Sequence, residues 1–521
     1  MMAGKMVKGI VLLAMIVGVA SFAMAAEEAT QAPPAKAATE APAQDYLQTD
    51  EPVPHFHEIN TDFMDKFHNP MEGVTMGLDL RLREVYARNI FSLNESFGDG
   101  AGGNWNNYHW QRYRTRWSLK WAIDEDIDFN TRLVWEFWGH VAPDDSFSSF
   151  LSEKSYDFDE AIFDHMNIQF RNAFDMPLTL TVGRQDIILG TGWLVLDGSP
   201  ADGSRTIYFD AVRGTYDLSE TSKVDLIYIQ QYDDEAKWLK PFNHGSVDDR
   251  RHTTQKQDER AAIVYWHNKF DDSLKNELYY IYKNEESSSW AKDNGTSGND
   301  ADIHTIGTRF FGNLDDNWSY SAEIAKQWGS RFSDKNGDGT RTSASLQALG
   351  GNSKITYAFH NDLKNEIHFG YEYMSGDDPD TSADEGFDSL WGDWPQSQRG
   401  GDLQAYLFTF EGDGIGNVNN IHRFGVGHSF KPAKDWTLLT DYNALWADEN
   451  SLANGKGPGG NPALSSGGNF RGHMLTGLLT YQCCKKFRTQ FLLDYFIPGS
   501  YYDDPSGDDA LFARINMEWT F

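Results

Sequence analysis

The chain closes on Leu511–Phe521, which reads LFARINMEWTF. Leu511, Ala513, Ile515, Met517, Trp519 and Phe521 fall on one face of an extended segment; Arg514, Asn516, Glu518 and Thr520 fall on the other. Successive side chains point to opposite faces of a strand, so this period of two makes one apolar and one polar surface. A final strand of this kind, ending on Phe, fits a chain that crosses a membrane with strands.

The same period runs back through the sequence. Val74, Met76, Leu78, Leu80 and Leu82 alternate with Thr75, Gly77, Asp79, Arg81 and Arg83. Tyr113, Thr115, Trp117, Leu119 and Trp121 oppose Arg112, Arg114, Arg116, Ser118 and Lys120. Phe129, Leu133, Trp135 and Phe137 oppose Asn130, Arg132 and Glu136. The links between such segments alternate in length. Short ones lie near 123–126, 173–177, 219–222, 269–273, 313–316, 361–365, 431–435 and 483–485. Long polar ones lie near 89–107, 140–160, 188–206, 232–258, 285–301, 329–341, 375–419, 447–469 and 497–510. Short periplasmic turns and long outer loops mark an outer-membrane barrel. Eight short and nine long links predict an all-β, antiparallel transmembrane β-barrel of about 18 strands spanning 73–521. Leu403–Phe410 also reads as a strand, but an odd count breaks the parity, so it is assigned to a hairpin within the longest outer loop. A mean hydropathy of −0.57 fits strands of which only one face meets lipid.

Lys5 and Lys8, the apolar run from Gly9 to Ala20, and Ala23-Met24-Ala25 predict a signal peptide over 1–25. Residues 26–52, rich in Ala, Pro, Glu and Thr, read as a disordered linker, and 53–72 as a periplasmic N-terminal segment. The balance of 45 Lys+Arg against 77 Asp+Glu, a net charge of −32, argues against a nucleic-acid partner. Two cysteines do not make a disulfide-stapled scaffold.

If the apolar faces meet lipid, the polar faces line the interior. That inward set is rich in arginine: Arg81, Arg83, Arg112, Arg114, Arg116, Arg132, Arg171, Arg213, Arg309, Arg423, Arg471, Arg488 and Arg514, with Lys120 and Lys223. Its acids are fewer: Asp79, Glu136, Asp225, Glu323, Glu366, Glu372, Asp441, Asp494 and Glu518. Basic rings select anions, and the planar guanidinium fork suits carboxylates. The alternative is that the arginines pair with interior carboxylates and brace the wall.

Several segments resemble the alginate export family of outer-membrane porins: VGRQDIILGTGW (Val182–Trp193), FDAVRGTY (Phe209–Tyr216), GYEYMSGDDPDTSADEGFDSLWGDWP (Gly370–Pro395), NIHRFGVGHSFKP (Asn420–Pro432), FRGHMLTGLLTY (Phe470–Tyr481) and DYFIPGSYY (Asp494–Tyr502). The resemblance covers most of the chain from Gly73 to Phe521. It implies an 18-stranded monomeric barrel with an electropositive conduit for a polyuronate, and an anion-contacting role for Arg213, Arg423 and Arg471. Gly183, Arg184, Gln185, Asp210 and His422 also match. Arg184 shares the register of Leu180 and Val182 and faces inward only through a bulge. The family's alginate exporter has a long periplasmic loop that plugs its pore; the corresponding link here is the short Cys483-Cys484-Lys485.

Smaller signals complete the reading. Asp334, Asn336 and Asp338 place oxygens at alternate positions as in the first half of a calcium loop, though Ser345 stands where that loop needs Glu. An Asn-Gly/Asp-Gly outer loop reads the same way, and no other cofactor is expected. Cys483 and Cys484 sit at a periplasmic turn as a pair of thiols. Trp117, Trp121 and Trp135 suit an interfacial aromatic girdle. Trp391 and Trp394 suit either loop packing or stacking on sugar. Asp377 and Asp378 belong to a solvated acidic loop rather than to the spaced carboxylate pair of a glycosidase. No nucleophile elbow, zinc helix or phosphate loop is present in the sequence, so no enzymatic activity is expected.

The sequence therefore points to a passive channel in the bacterial outer membrane for an anionic polysaccharide or sugar acid such as alginate oligomers. The expected surroundings are lipid and lipopolysaccharide, with Phe521 addressing the barrel assembly machinery. The alternatives are a general anion-leaning porin for small solutes, an outer-membrane enzyme, and a secreted polysaccharide-binding β-protein.

Overall fold

The computed structural model describes residues 61–90, 93–95, 107–142, 156–196, 208–232, 239, 241–243, 257–287, 300–333, 342–378, 380–392, 403, 419–450, 465, 467–504 and 506–521. The signal peptide, the linker and the first part of the 53–72 segment lie outside the described residues. So do Asp334, Asn336 and Asp338, Trp394, and the Leu403–Phe410 hairpin beyond Leu403.

A short helix, α1 (Thr61–His68), precedes the first strand. The strands follow as β1 (Val74–Arg88), β2 (Asn107–Ala122), β3 (Ile127–Ala142), β4 (Tyr156–Phe170), β5 (Leu178–Gln185), β6 (Phe209–Ser219), β7 (Ser222–Gln231), β8 (Phe242–Asn243), β9 (Gln257–Lys269), β10 (Lys275–Ser287), β11 (Ala301–Asn313), β12 (Trp318–Ser333), β13 (Thr342–Ala358), β14 (Glu366–Met374), β15 (Ile421–Phe430), β16 (Trp436–Trp446), β17 (Phe470–Cys484), β18 (Phe487–Pro498) and β19 (Ala510–Thr520).

Every pairing between these strands is antiparallel. Sequence neighbours pair, β7 pairs with β9, and β19 returns to β1, from Asp79 opposite Thr520 to Arg88 opposite Leu511. Without the two-residue β8, the ring is the expected barrel of 18 strands. All eight short links and the nine long ones fall where the hydropathy pattern puts them. Closure removes the sheet edges, which a membrane does not tolerate.

Two places in the wall have early-ending strands. β5 stops at Gln185, and the upper edge of β4 is covered instead by β8, with Glu160 opposite Asn243 and Ala161 opposite Phe242. β14 stops at Met374 opposite Gly350, and the loop that follows lays Asp384 beside Leu346 of β13. There the Gln347 amide donates to the Asp384 carbonyl at 2.8 Å, and the Asp384 amide to the Ser345 carbonyl at 2.8 Å.

The outer face carries the apolar register: Leu82, Trp117, Val264, Leu278, Ile306, Ile324, Phe369, Phe424 and Leu493 are all exposed there. The inner face is polar along β1–β3; along β9–β13 it carries an apolar band together with buried carboxylates. Ile263, Tyr265, Tyr279, Ile281, Ile303, Leu346 and Ala348 are buried inside the ring and pack with Ile187, Leu189, Trp193, Val195, Phe387, Leu390 and Trp391 from the segments after β5 and β14. Those two segments fold inward and meet. Val195 bridges to Trp391, the Trp391 amide donates to the Leu194 carbonyl at 3.0 Å, and Trp193 stacks on Phe387 with centroids 5.4 Å apart. Gly392 permits this approach: a Cβ there would lie 2.0 Å from the Trp193 carbonyl oxygen.

Candidate conduit and its charged wall

The ladder between β1 and β2 sets Arg81 opposite Arg114, Arg83 opposite Arg112 and Asp79 opposite Arg116. Like charges directly across a ladder repel, so these rows need compensation from the next strands. Arg114 faces Glu136 of β3, and Arg81 faces Glu518 of β19. The resulting row, Arg488–Glu518–Arg81–Arg114–Glu136, runs across five adjacent strands. The contacts run both along the rows and diagonally between them. Arg112 Nη2 lies 3.3 Å from Glu136 Oε1, Arg114 Nη2 3.4 Å from Asp79 Oδ1, and Arg116 Nε 2.7 Å from Asp79 Oδ2. Arg83 Nε donates to Asn516 Oδ1 at 3.4 Å. Arg81, Arg83, Arg112 and Arg114 are buried. On this arc the five predicted arginines outnumber Asp79, Glu136 and Glu518, the carboxylates beside them.

Half a circuit away the interior is acidic. Asp225, Glu259, Glu277, Glu285, Glu323 and Glu372 are all buried. Tyr265 donates to Glu277 Oε2 at 2.8 Å and Tyr279 to Glu323 Oε1 at 2.9 Å, while Arg309 Nη1 pairs with Glu277 at 2.9 Å. Two cations pin the inward segment after β14. Lys283 Nζ lies 2.6 Å from Glu285 and 3.4 Å from Glu259, donates to the Leu390 carbonyl at 3.2 Å, and sits 4.7 Å over the Trp391 ring. Trp391 Nε1 in turn donates to Glu259 at 2.8 Å. Arg331 holds Asp384 with Nε at 3.0 Å and Nη2 at 2.7 Å, and reaches Asp388 at 3.1 Å.

The other predicted arginines are engaged with neighbours. Arg132 bonds Asp164 at 2.8 Å and grips Asp186 with both terminal nitrogens at 2.8 Å. Burial opposes ionisation of Asp186, yet Arg132 holds its carboxyl below the usual range. Arg213 forks onto Asp225 at 3.0 and 3.0 Å. Arg423 pairs with Glu372, and Arg471 lies 4.9 Å over the Tyr501 ring. Arg171 and Lys120 meet Asp128 at the periplasmic rim. Arg184 is buried although it keeps the outward register of Val182. It forks onto Asp210 at 2.8 and 3.0 Å, donates to the Phe163 carbonyl at 2.9 Å and stacks 3.8 Å from Tyr208.

Glu259, Glu277, Glu285, Asp164 and Asp186 were not among the sequence-predicted interior acids. The inner faces of β9 and β10 mix Ala261, Ile263, Tyr265, Tyr279 and Ile281 with Glu259, Glu277, Lys283 and Glu285, which blurs the inward register; the apolar part of that face was itself the available sign of an interior partner. Trp391 packs between the inward segment and Glu259, and Asp377 and Asp378 accept backbone N–H bonds from Glu385 and Asp380 within their loop.

At the outer rim, His422 of β15 joins Tyr371 and Asp448. His422 Nδ1 lies 2.8 Å from the Tyr371 hydroxyl, and its Nε2 3.0 Å from Asp448 Oδ1. The Tyr373 hydroxyl and the Gly376 amide both donate to Asp448 Oδ2 at 3.0 Å. Asp448 therefore fastens the first residues of the inward segment. Burial raises its pKa, but His422 and these two donors bring it below the ordinary carboxylate value.

A closed antiparallel barrel with an apolar outer belt, a charged interior and inward-folded outer loops defines a porin-type channel of the bacterial outer membrane. Residues 73–512 match the alginate export family, and the chain belongs to that family. Solved structures with the same architecture include three from Pseudomonas aeruginosa. OccK7 (OpdD) is 12% identical, with 87% of this chain and 99% of that chain covered and a TM-score of 0.50. OpdQ gives the same figures. OpdK, solved with vanillate, is 9% identical over 86% of this chain and 98% of its own, with a TM-score of 0.50. At these identities the likeness is one of fold. No curated protein sequence matches significantly.

Proposed function

We propose that the protein is a passive outer-membrane conduit for anionic polysaccharide oligomers of the alginate type. The observation that carries this reading is the cluster of Arg81, Arg83, Arg112, Arg114 and Arg116 on the adjacent strands β1 and β2. Guanidinium groups facing a low-dielectric interior attract carboxylates and offer them two parallel hydrogen bonds. Membership of the alginate export family supports a uronate as the anion. The barrel works as a monomer in this reading, and Phe521 addresses the assembly machinery.

A second reading, passage of small carboxylates, is favoured by the two inward segments that meet through Val195 and Trp391. They occupy interior space that a long chain would need.

The test is planar-bilayer conductance in a salt gradient, with and without uronate oligomers. The conduit should be anion-selective and blocked by the oligomers. Arg112→Ser, Arg114→Ser and Arg116→Ser together should bring the anion-to-cation permeability ratio toward one and weaken the block. A cation-selective channel would sink both readings; anion selectivity without oligomer block, but with block by small carboxylates, would select the second.

A further inference from the structure

Cys483 and Cys484 end β17, followed by the turn Lys485-Lys486 and β18. Neighbouring residues on a regular strand point to opposite faces, which would hold the two thiols apart. The hairpin register removes that separation. Gln482 pairs with Arg488, but Cys484 pairs with Phe487, so the register slips by one residue and Cys483 is the extra member of a β-bulge. Phe487 belongs to the outward register, where it packs on Trp519 with centroids 5.2 Å apart. Cys484 therefore takes the outward side as well, and Cys483, following the inward Gln482, does the same. The two Sγ atoms lie 3.2 Å apart, and both residues are partly exposed at the periplasmic end of the wall.

Two chemistries are open to such a pair. A disulfide needs Sγ atoms about 2.05 Å apart and Cα atoms roughly 4.4–6.8 Å apart. Adjacent residues across a trans peptide hold their Cα atoms at about 3.8 Å, so the oxidised ring is strained and readily reduced. A single soft atom bridging the sulfurs avoids that demand. With bonds of about 2.3 Å, typical of metal–thiolate contacts, the 3.2 Å spacing sets an angle of roughly 90° at the bridging atom. That angle is too small for a linear two-coordinate ion and narrow for a tetrahedral one. A tetrahedral ion would also need further ligands, and among the described residues no group of three or more His, Cys, Asp or Glu is placed to hold a metal. It suits a pyramidal trivalent centre that brings its own third substituent.

We propose that Cys483 and Cys484 form a reduced vicinal dithiol that chelates a soft trivalent centre of the arsenical class at the periplasmic rim. With phenylarsine oxide as the probe, two As–S bonds form, the arsenic–oxygen bond breaks, and the oxygen leaves as water with both thiol protons. Arsenic stays trivalent, so no oxidant or reductant is required.

The experiment uses the full-length protein purified from outer membranes without reductant. Thiols are counted by the gel shift of a polymer-linked maleimide after denaturation, before and after one equivalent of phenylarsine oxide. Two reactive thiols are expected, both shielded by the single equivalent. Chelation makes the second bond intramolecular, worth roughly 10²–10⁴ in effective affinity. Release by a monothiol competitor should therefore need at least about a hundredfold more competitor than in Cys483→Ser or Cys484→Ser. The double variant Gln482→Cys, Cys483→Ser keeps two thiols but puts them on opposite faces, and it should lose the shielding while keeping the heat-modifiable mobility of a folded barrel. Thiols that react only after reduction would overturn the proposal, as would single-cysteine variants that hold the probe as firmly as the parent.

Discussion

Gly427 shows how one missing side chain builds an interior pair. It lies on β15 between His368 of β14 and Asp441 of β16, and those two meet across it with Nε2 and Oδ1 2.8 Å apart. A Cβ at Gly427 would fall 1.7 Å from Asp441 Oδ1 and 2.3 Å from His368 Cε1. Gly427→Ala should therefore split the pair and force the neighbours outward. Overpacking of this kind destabilises by about 1–3 kcal/mol, and the heating temperature at which the folded gel band converts to the unfolded one should fall accordingly. An unchanged temperature would mean that the pair is not held by this contact. At this scale the sequence was partly legible. The period of two gave the register of Arg81, Arg83, Arg112, Arg114 and Arg116, because adjacent residues must alternate. It did not reveal their partners, since which residues stand opposite one another depends on hairpin registers. It left Arg184 ambiguous, and the structure keeps that residue in the outward register and buries it against Asp210 and Tyr208.

Strand number and link lengths were readable because half-buried strands must alternate and turns must not. The inward course of the segments after β5 and β14 was not readable. Their side chains have no period of their own, and what fixes them is wall chemistry supplied by strands distant in sequence. Lys283 is the clearest case, joining β10 to Leu390 and Trp391. Lys283→Met should strand Glu259 and Glu285 in the interior. Breaking a buried pair by removing one partner is worth roughly 3–5 kcal/mol. The expected result is a lower denaturation midpoint in detergent together with altered single-channel conductance, as the inward segment loses its anchor. A lower midpoint with unchanged conductance would show that Lys283 does not position the segment. Asp448 anchors the start of the same segment, and here the effect depends on pH. Its folded pKa lies below the unfolded value of about 3.9. The stabilisation is therefore complete above that value and is lost as pH falls through the folded pKa. Channel noise and conductance should hold steady from neutral pH down to about 4 and change below it. Asp448→Asn should remove the acid-dependent step, and a variant that keeps it would assign the step to another carboxylate.

On the scale of the whole molecule, the net charge of −32 and the arginine cluster of β1 and β2 are compatible because the acid is placed elsewhere. Part of it occupies the opposite interior arc and part the long loops, which leaves the arc next to the closing seam basic. That seam joins the first strand to the last. β19 must find β1 from the other end of the sequence, so closure requires a large loop entropy to be overcome before its ladder forms. Phe521 lies just past the last strand residue, yet it completes the register. Its amide donates to the Leu78 carbonyl at 2.7 Å, and the Leu78 amide donates to its carbonyl at 3.0 Å. Three rows further in, Glu518 stands between Arg81 and Arg488, so the closing strand supplies a carboxylate to the most basic part of the wall. Deleting Phe521 removes both terminal hydrogen bonds and the aromatic terminus proposed to address the assembly machinery. The two effects separate by experiment. If the residue acts mainly in closure, the truncated chain should refold poorly in detergent, with a reduced fraction of heat-modifiable band. If it acts mainly as an assembly address, refolding in detergent should match the parent while the amount of folded protein in the outer membrane falls. Glu518→Gln keeps the ladder and Phe521 but removes the seam's carboxylate; it should lower stability in detergent while leaving membrane targeting intact. A parental melting temperature for that variant would show that the arginines of β1 do not depend on β19 for their compensation.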